Sequence, residues 1–325
     1  MKSPPGMGLL QSGDAAAPPP FNGNYASVLL NPYQVCQTDI GLGYGVTMFG
    51  MPGNVGSAVV QVSGALTGTG VPGPIWVRYL AGNTVDIYYD GIGVTPAMAG
   101  APFVGPLPLT GLRNGLILTP SGGFVGGDTW KATSRGFTDQ SGNGKHFTQP
   151  NSSLQPIITA GFNAKPGLAF DTDDFLESVI SLPYPVTTLL VGRATSMTTS
   201  SSSLIGGESP YQATIISLAA GEFTQYSGGP GVQGIPATLA TQLFIATYTN
   251  SPSDSFQVGN SPVSTGTNTG DHLSTSRVIG AITSAARKGN CEVFMVACVP
   301  PQDLTAFIAA LNSPQGYGPG NVLTP

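Results

Sequence analysis

The sequence predicts an all-β chain: two consecutive β-sandwich domains, led by an extended N-terminal arm and closed by one short C-terminal helix. Three observations carry this. Only 8% of the 325 residues are charged while 40% are hydrophobic, and 46 Gly and 29 Pro punctuate the chain. Apolar residues fall in short alternating or β-branched runs, each closed by Gly, Pro or Asp-Gly, the pattern of strands joined by tight turns. Helical periodicity is sustained once, near the C-terminal end. A chain this long buries enough apolar surface to be stable without cross-links. So few charges point to faces that lie against other protein rather than water.

Residues 1–40 hold Pro4-Pro5, Ala15-Ala16-Ala17-Pro18-Pro19-Pro20 and Asn31-Pro32, with no sustained period of either kind. Such a segment is extended and has no core of its own. Phe21, Tyr25, Leu29, Leu30 and Tyr33 suit an arm that orders by docking on a neighbour.

Residues 41–130 read as a small sandwich. Val59–Val62, Ile75–Leu80 and Val85–Tyr89 are β-branched or aromatic runs ended by turn residues. A Pro- and Gly-rich link, 95–108, leads to Leu109-Thr110-Gly111-Leu112, Gly115–Thr119 and the ending Gly126-Gly127-Asp128-Thr129-Trp130, where glycines permit a sharp reversal and Trp130 supplies an apolar plug. Across about residues 55–130 this succession resembles a small β-sandwich module of tailed-bacteriophage virion proteins.

Residues 131–325 read as a second sandwich. Strands are expected near 157–159, 167–171, 175–178, 186–194, 203–205, 213–218, 222–227, 243–249, 255–258, 276–282 and 291–299, too many and too short for anything but a sandwich or jelly roll. A helix is expected from Pro301, with Leu304, Phe307, Ile308 and Leu311 on one apolar face. The turn Asp139-Gln140-Ser141-Gly142-Asn143-Gly144, the strand end Phe170-Asp171, the turn Asp173-Asp174-Phe175-Leu176, the hairpin Tyr226-Ser227-Gly228, Arg277–Gly280 and the closing apolar strand with its helix resemble the concanavalin A-like, laminin G-like family. The resemblance implies a jelly roll built to bind or cover a surface.

A net charge of −5 with 11 Lys plus Arg, none in runs, leaves no basic stripe for phosphates, so nucleic acid is not an expected partner. No apolar run of about 18 residues exists to span a bilayer. Met1–Gly8 lacks the pattern of a secretory signal, and folding in a host cytoplasm is the expectation. Cys36, Cys291 and Cys298 read as free buried thiols; the last two lie seven apart in one strand, an odd offset that places them on opposite faces.

Asp139, Asn143, Asp171, Asp173 and Asp174 are candidate calcium ligands, since two loops of such a sandwich could bring their hard oxygens together. Asp and Asn in Gly-rich turns mostly bond their own backbone, and that role is sufficient for every one of these residues. Tyr184 and Tyr211, in loops beside Pro, are candidate glycan-stacking residues. Glu177, Glu208, Glu222 and Glu292 each stand alone, without the second carboxylate a glycan hydrolase places nearby on the same strand. His146 reads as a turn-flanking residue rather than a general base, and no Gly-x-Ser-x-Gly context surrounds either histidine. No cofactor and no enzymatic activity are expected.

Together with the resemblances, these readings imply a virion structural protein. It would be a capsid-decorating or short spike-like component, fastened to other virion proteins by residues 1–40 and the first module, as a homo-oligomer with a trimer favoured. The alternative is a tail-associated adhesin for a host or environmental glycan.

Overall fold

The computed structural model describes residues 24–318 apart from 38–43, 45–46, 69, 71–72, 90, 163–164, 172, 197–201, 208–213, 219–220, 227–231, 233–234, 250–252, 268–274, 282–288 and 315. The expected all-β class holds: the described residues form antiparallel sheets, with one α-helix at Thr305–Leu311. Among them no helix is long and apolar enough to cross a membrane.

A small unit occupies residues 49–131. Its larger sheet runs Phe49–Gly50, Thr129–Lys131, Trp76–Leu80, Thr84–Tyr88, Met98–Pro102 in spatial order; a second sheet joins Val59–Gly64, Leu116–Ser121 and Leu107–Pro108. Alternation decides what is buried: Val60 and Val62 on one strand, Val77 and Tyr79 on another, with Ile87 and Val85 directly across from the latter pair. Gly82 and Asn83 both adopt positive φ, +78° and +60°, and so close the Trp76–Leu80 hairpin. Trp130, 2% exposed, meets Phe124 edge-on at 5.3 Å, and Phe124 stacks on Tyr79 at 4.8 Å, so the tryptophan plugs this core as expected. Met98–Pro102 falls in the stretch read as a link. It has no β-branched or aromatic residue to announce it and pairs on one side only, as an edge strand.

The larger unit is a sandwich of two sheets. The first centres on Val186–Ala194 and Cys291–Val299; the second contains Gly136–Asp139, Phe147–Thr148, Leu176–Val179, Ser276–Ile279 and Ser202–Gly207. Between them lie Phe137, Phe147, Leu168, Leu190, Phe244 and Ile279, all fully buried. The first sheet's other face is also covered, by Phe307 and Leu311 of the helix and by Tyr25 and Leu29 of the N-terminal segment. The helix begins at Thr305, where Asp303 accepts the Thr305 N–H at 2.9 Å and its hydroxyl at 2.7 Å, later than the expected start at Pro301. Its apolar face is the expected one.

Two expectations are corrected here. Residues 24–37, read as part of a docking arm, belong to the large sandwich. Gln34–Gln37 is buried throughout and pairs with Cys291–Val299 on one side and Gly136–Asp139 on the other, joining the two sheets. Tyr25 packs on Phe307 at 5.8 Å, and Leu30 exchanges two hydrogen bonds with the Gln302 side chain. The small unit is therefore an insertion between the sandwich's first two strands, a discontinuity that boundaries at 41 and 131 do not capture. Residues 1–23 lie outside the described residues.

The second correction concerns the thiols. Val191 pairs with Met295 but Gly192 with Val293, so Phe294 is an extra residue that resets the alternation. Cys291 and Cys298 consequently face the same inter-sheet core. All three cysteines are free and buried, and desolvation pushes each thiol up, which suits inert packing residues.

Candidate functional site

A groove of about 680 Å³ opens on the second sheet, lined by Gly144, Lys145, His146, Thr148, Gln149, Pro150, Phe175, Glu177 and Val179. Strand periodicity places it. On Leu176–Val179, Leu176 and Ser178 turn inward while Glu177 and Val179 turn outward, and Thr148 pairs directly with Glu177. The groove thus lies on the outer face of the second sheet, across the sandwich from the helix and the N-terminal segment.

The turn between Gly136–Asp139 and Phe147–Thr148 forms one wall, and Asp139 holds it in shape. Its carboxylate accepts from Val35 N, Ser141 N and Lys145 N, each at 2.9 Å, and from the Ser141 hydroxyl at 2.8 Å. Those bonds use the acceptor sites that a carboxylate offers. Asn143 donates to the carbonyls of Pro32 and Tyr33 at 3.0 and 3.1 Å, and Gln34 donates to the Lys145 carbonyl and to the Ser178 hydroxyl. The N-terminal strand therefore clamps the turn that presents Lys145 and His146. Asp139 N donates to His146 Nδ1 at 3.0 Å, so Nδ1 is the unprotonated nitrogen and Nε2 carries the ring hydrogen.

The lining is amphipathic. Lys145 and His146 supply donors on one wall, Glu177 supplies acceptors on the other, and Pro150, Val179 and the rim of Phe175 are apolar. Val179 is 75% exposed; Phe175 packs down on Val278 and Leu154. Among the described residues the ion pairs are Lys131–Asp171 and Arg193–Glu292, so Lys145 and Glu177 face the groove with neither charge paired.

The residues expected as calcium ligands do not converge. Among the described residues no three His, Cys, Asp or Glu side chains are grouped to hold a metal ion. Asp139 is engaged with its own turn and with Val35, while Asp171 and Asp174 sit near the neck between the two units. Asp171 accepts from Asp173 N at 3.1 Å and lies 3.6 Å from the buried Lys131 ammonium, which also stands 5.1 Å over the Phe49 ring. Burial first, then the adjacent Asp171, push the Asp174 carboxyl up to about 7, against the opposing influence of Lys131. These aspartates tie the turn to the inserted unit. Tyr184 is half-buried against the inter-sheet core rather than offered to a ligand, and Tyr211 lies outside the described residues.

The groove's groups come from separate elements, which local periodicity does not join. The outward phase of Glu177 is legible from Leu176-Glu177-Ser178-Val179, but nothing local indicates that His146, in a turn some thirty positions earlier, stands beside it.

No protein-family model matches the chain, and no curated protein is found as a relative. Solved structures similar to it include the binding domain of a botulinum neurotoxin DC (10% identity, TM-score 0.41, covering 54% of this chain and 48% of that one). Others are a Trypanosoma rangeli sialidase (13%, 0.41, 57% and 32%) and an arabinofuranosidase (11%, 0.42, 78% and 61%). The chain spans less than two thirds of each. At these TM-scores the fold rests on the strands described above, not on the likeness. Glycosidases stand among the similar structures, so the expectation of no enzymatic activity is withdrawn, and the likeness assigns no activity to the chain either.

Proposed function

We propose that the chain is a glycan-binding β-sandwich protein, carried on a virus particle through its N-terminal segment and inserted unit, with the groove at Lys145, His146 and Glu177 as the glycan site. The observation that supports the binding role is the groove's lining, which combines the donors Lys145 and His146 on a backbone-held turn, the Glu177 carboxylate and the apolar Pro150, Val179 and Phe175. Sugars present that combination, hydroxyls around the ring edge and C–H groups on its faces.

The particle role rests on the sequence resemblance of residues 55–130 and on the scarcity of charge. Residues 24–30 pack on the face opposite the groove, so an anchor formed by the residues that precede them leaves the groove turned outward. The inserted unit exposes Val55, Val104 and Leu112 by 79%, 79% and 51%, apolar side chains suited to a protein neighbour. In this reading the protein folds in the host cytoplasm and is assembled as a closed homo-oligomer.

A glycan array probed with the full chain and with Glu177→Gln tests the binding role. Retention on a subset of glycans, lost in the variant, is the expected result; no retention on any glycan overturns it. The particle role is tested by purifying virions from the source of the sequence: the chain is expected to copurify at a fixed stoichiometry, and its absence from intact particles overturns that role.

A further inference from the structure

We propose that the groove selects a sugar bearing a carboxylate, with that carboxylate toward Lys145 and the His146 N–H and the ring hydroxyls toward Glu177. The inference rests on the glycan reading above and deepens it. Three observations carry it.

First, the groove holds two opposite charges that are not paired with each other or with any described group. A neutral sugar satisfies Glu177, which accepts hydroxyl hydrogen bonds, but leaves the Lys145 ammonium without an anion. A phosphorylated ligand brings up to two negative charges against Glu177. A sugar with one carboxylate and free hydroxyls satisfies both walls.

Second, the backbone that carries the cationic side chain is fixed before any ligand arrives. The Lys145 N–H is held by Asp139 and its carbonyl accepts from Gln34 and Ser178, while His146 is oriented by Asp139 N. With the turn backbone and the His146 ring already held, ligand binding has to order only the Lys145 side chain. Third, the volume of about 680 Å³ lies inside the range of small-molecule sites and suits a single sugar residue with its neighbour.

The test is calorimetric titration of the full chain with glucuronate, galacturonate and N-acetylneuraminate, beside glucose and galactose, repeated with Lys145→Ala, Lys145→Gln and Glu177→Gln. Both lysine substitutions keep the backbone bonds that shape the turn, and unchanged melting confirms that the fold survives. At least one acidic sugar is expected to bind about tenfold or more tightly than the neutral sugars, the scale of one charge-assisted contact. The preference should shrink with added salt. Either lysine substitution should abolish it, with acidic sugars losing far more affinity than neutral ones, and Glu177→Gln should weaken acidic and neutral sugars alike. The uronates and the nonulosonate distinguish which carboxylated sugar is preferred. Equal binding of acidic and neutral sugars, or a preference untouched by the lysine substitutions, overturns this inference and leaves the glycan reading standing. No binding by any sugar overturns both.

Discussion

The two units are built from the same kind of strand but closed in opposite ways. The inserted unit keeps its strand pairings within residues 47–131, around a core of its own plugged by Trp130. The sandwich is closed by Gln34–Gln37 pairing with Met295–Cys298, partners some 260 positions away, and its two ends come together only after the insertion has been passed. The neck between them is narrow: Tyr44 packs on both cores and pairs with Ser134, and Lys131 reaches Asp171. One unit is therefore locally determined and separable, and the other depends on its most distant strand. That strand also clamps the groove.

The largest effect should come from breaking the long-range closure. Val35→Asp places a carboxylate in the apolar layer beneath the helix, at a fully buried position. A loss of at least about 3 kcal/mol is expected in the sandwich's unfolding transition, with glycan binding lost in parallel. Calorimetry that shows no change in the sandwich would break the comparison.

Trp130→Ala should act on the other side. Removing the plug is expected to cost about 3–5 kcal/mol, confined to the inserted unit. Hydrogen exchange read by mass spectrometry should show faster exchange in Trp76–Tyr88 and little change in Val186–Ala194. Equal loosening of both segments would mean that the units fold as one.

Asp128→Asn is a smaller and pH-dependent lesion of the same unit. Asp128 accepts the N–H groups of Val55, Gly56 and Val125 at 2.8, 3.0 and 3.1 Å. Burial works to raise its carboxyl, but these donors outweigh burial and hold it below the usual carboxylate range. The stabilisation is present above the unfolded carboxylate pKa of about 4 and is lost as pH falls through the lower folded value. At pH 7 the substitution should cost about 1–3 kcal/mol, and the difference from wild type should shrink toward pH 2.

Much of this architecture was legible and part of it was not, for reasons that follow the same division. Trp76–Leu80, Val186–Ala194 and Cys291–Val299 announce themselves by β-branched or aromatic runs bounded by turns. Gln34–Gln37 does not: two of its four residues are glutamines, made tolerable inside by hydrogen bonds to Ser178, Lys145 and Gln140 that exist only in the folded chain. Phe147–Thr148, two residues long, has no periodicity to read. The bulge at Phe294 has no local signature, so simple alternation put Cys298 on the wrong face. The groove inherits both difficulties, since it needs the short strand for Thr148 and the long-range clamp for Lys145.

A pH-dependent effect of opposite sign lies at the neck. Asp174 titrates in the folded chain at about 7, above its unfolded value, so the fold favours the protonated form. Its contribution is therefore fully present below about pH 4 and is lost as pH rises toward and through 7. Asp174→Asn should flatten this decline, leaving a variant more stable than wild type at pH 8 and little different at pH 4. A wild-type sandwich whose melting temperature does not fall between pH 5 and pH 8 relative to the variant would remove Asp174 from the account.

The most direct test of the central claim is excision of the insertion. Gln37 pairs with Thr138 across the antiparallel ladder, so the two chain ends lie close enough for a linker of about four Gly and Ser residues to replace 38–135. The excised chain is expected to fold as a sandwich that melts within a few degrees of the parent's and to bind the same glycans with the same loss on Glu177→Gln. An excised chain that fails to fold, or folds without binding any glycan the parent binds, would contradict it.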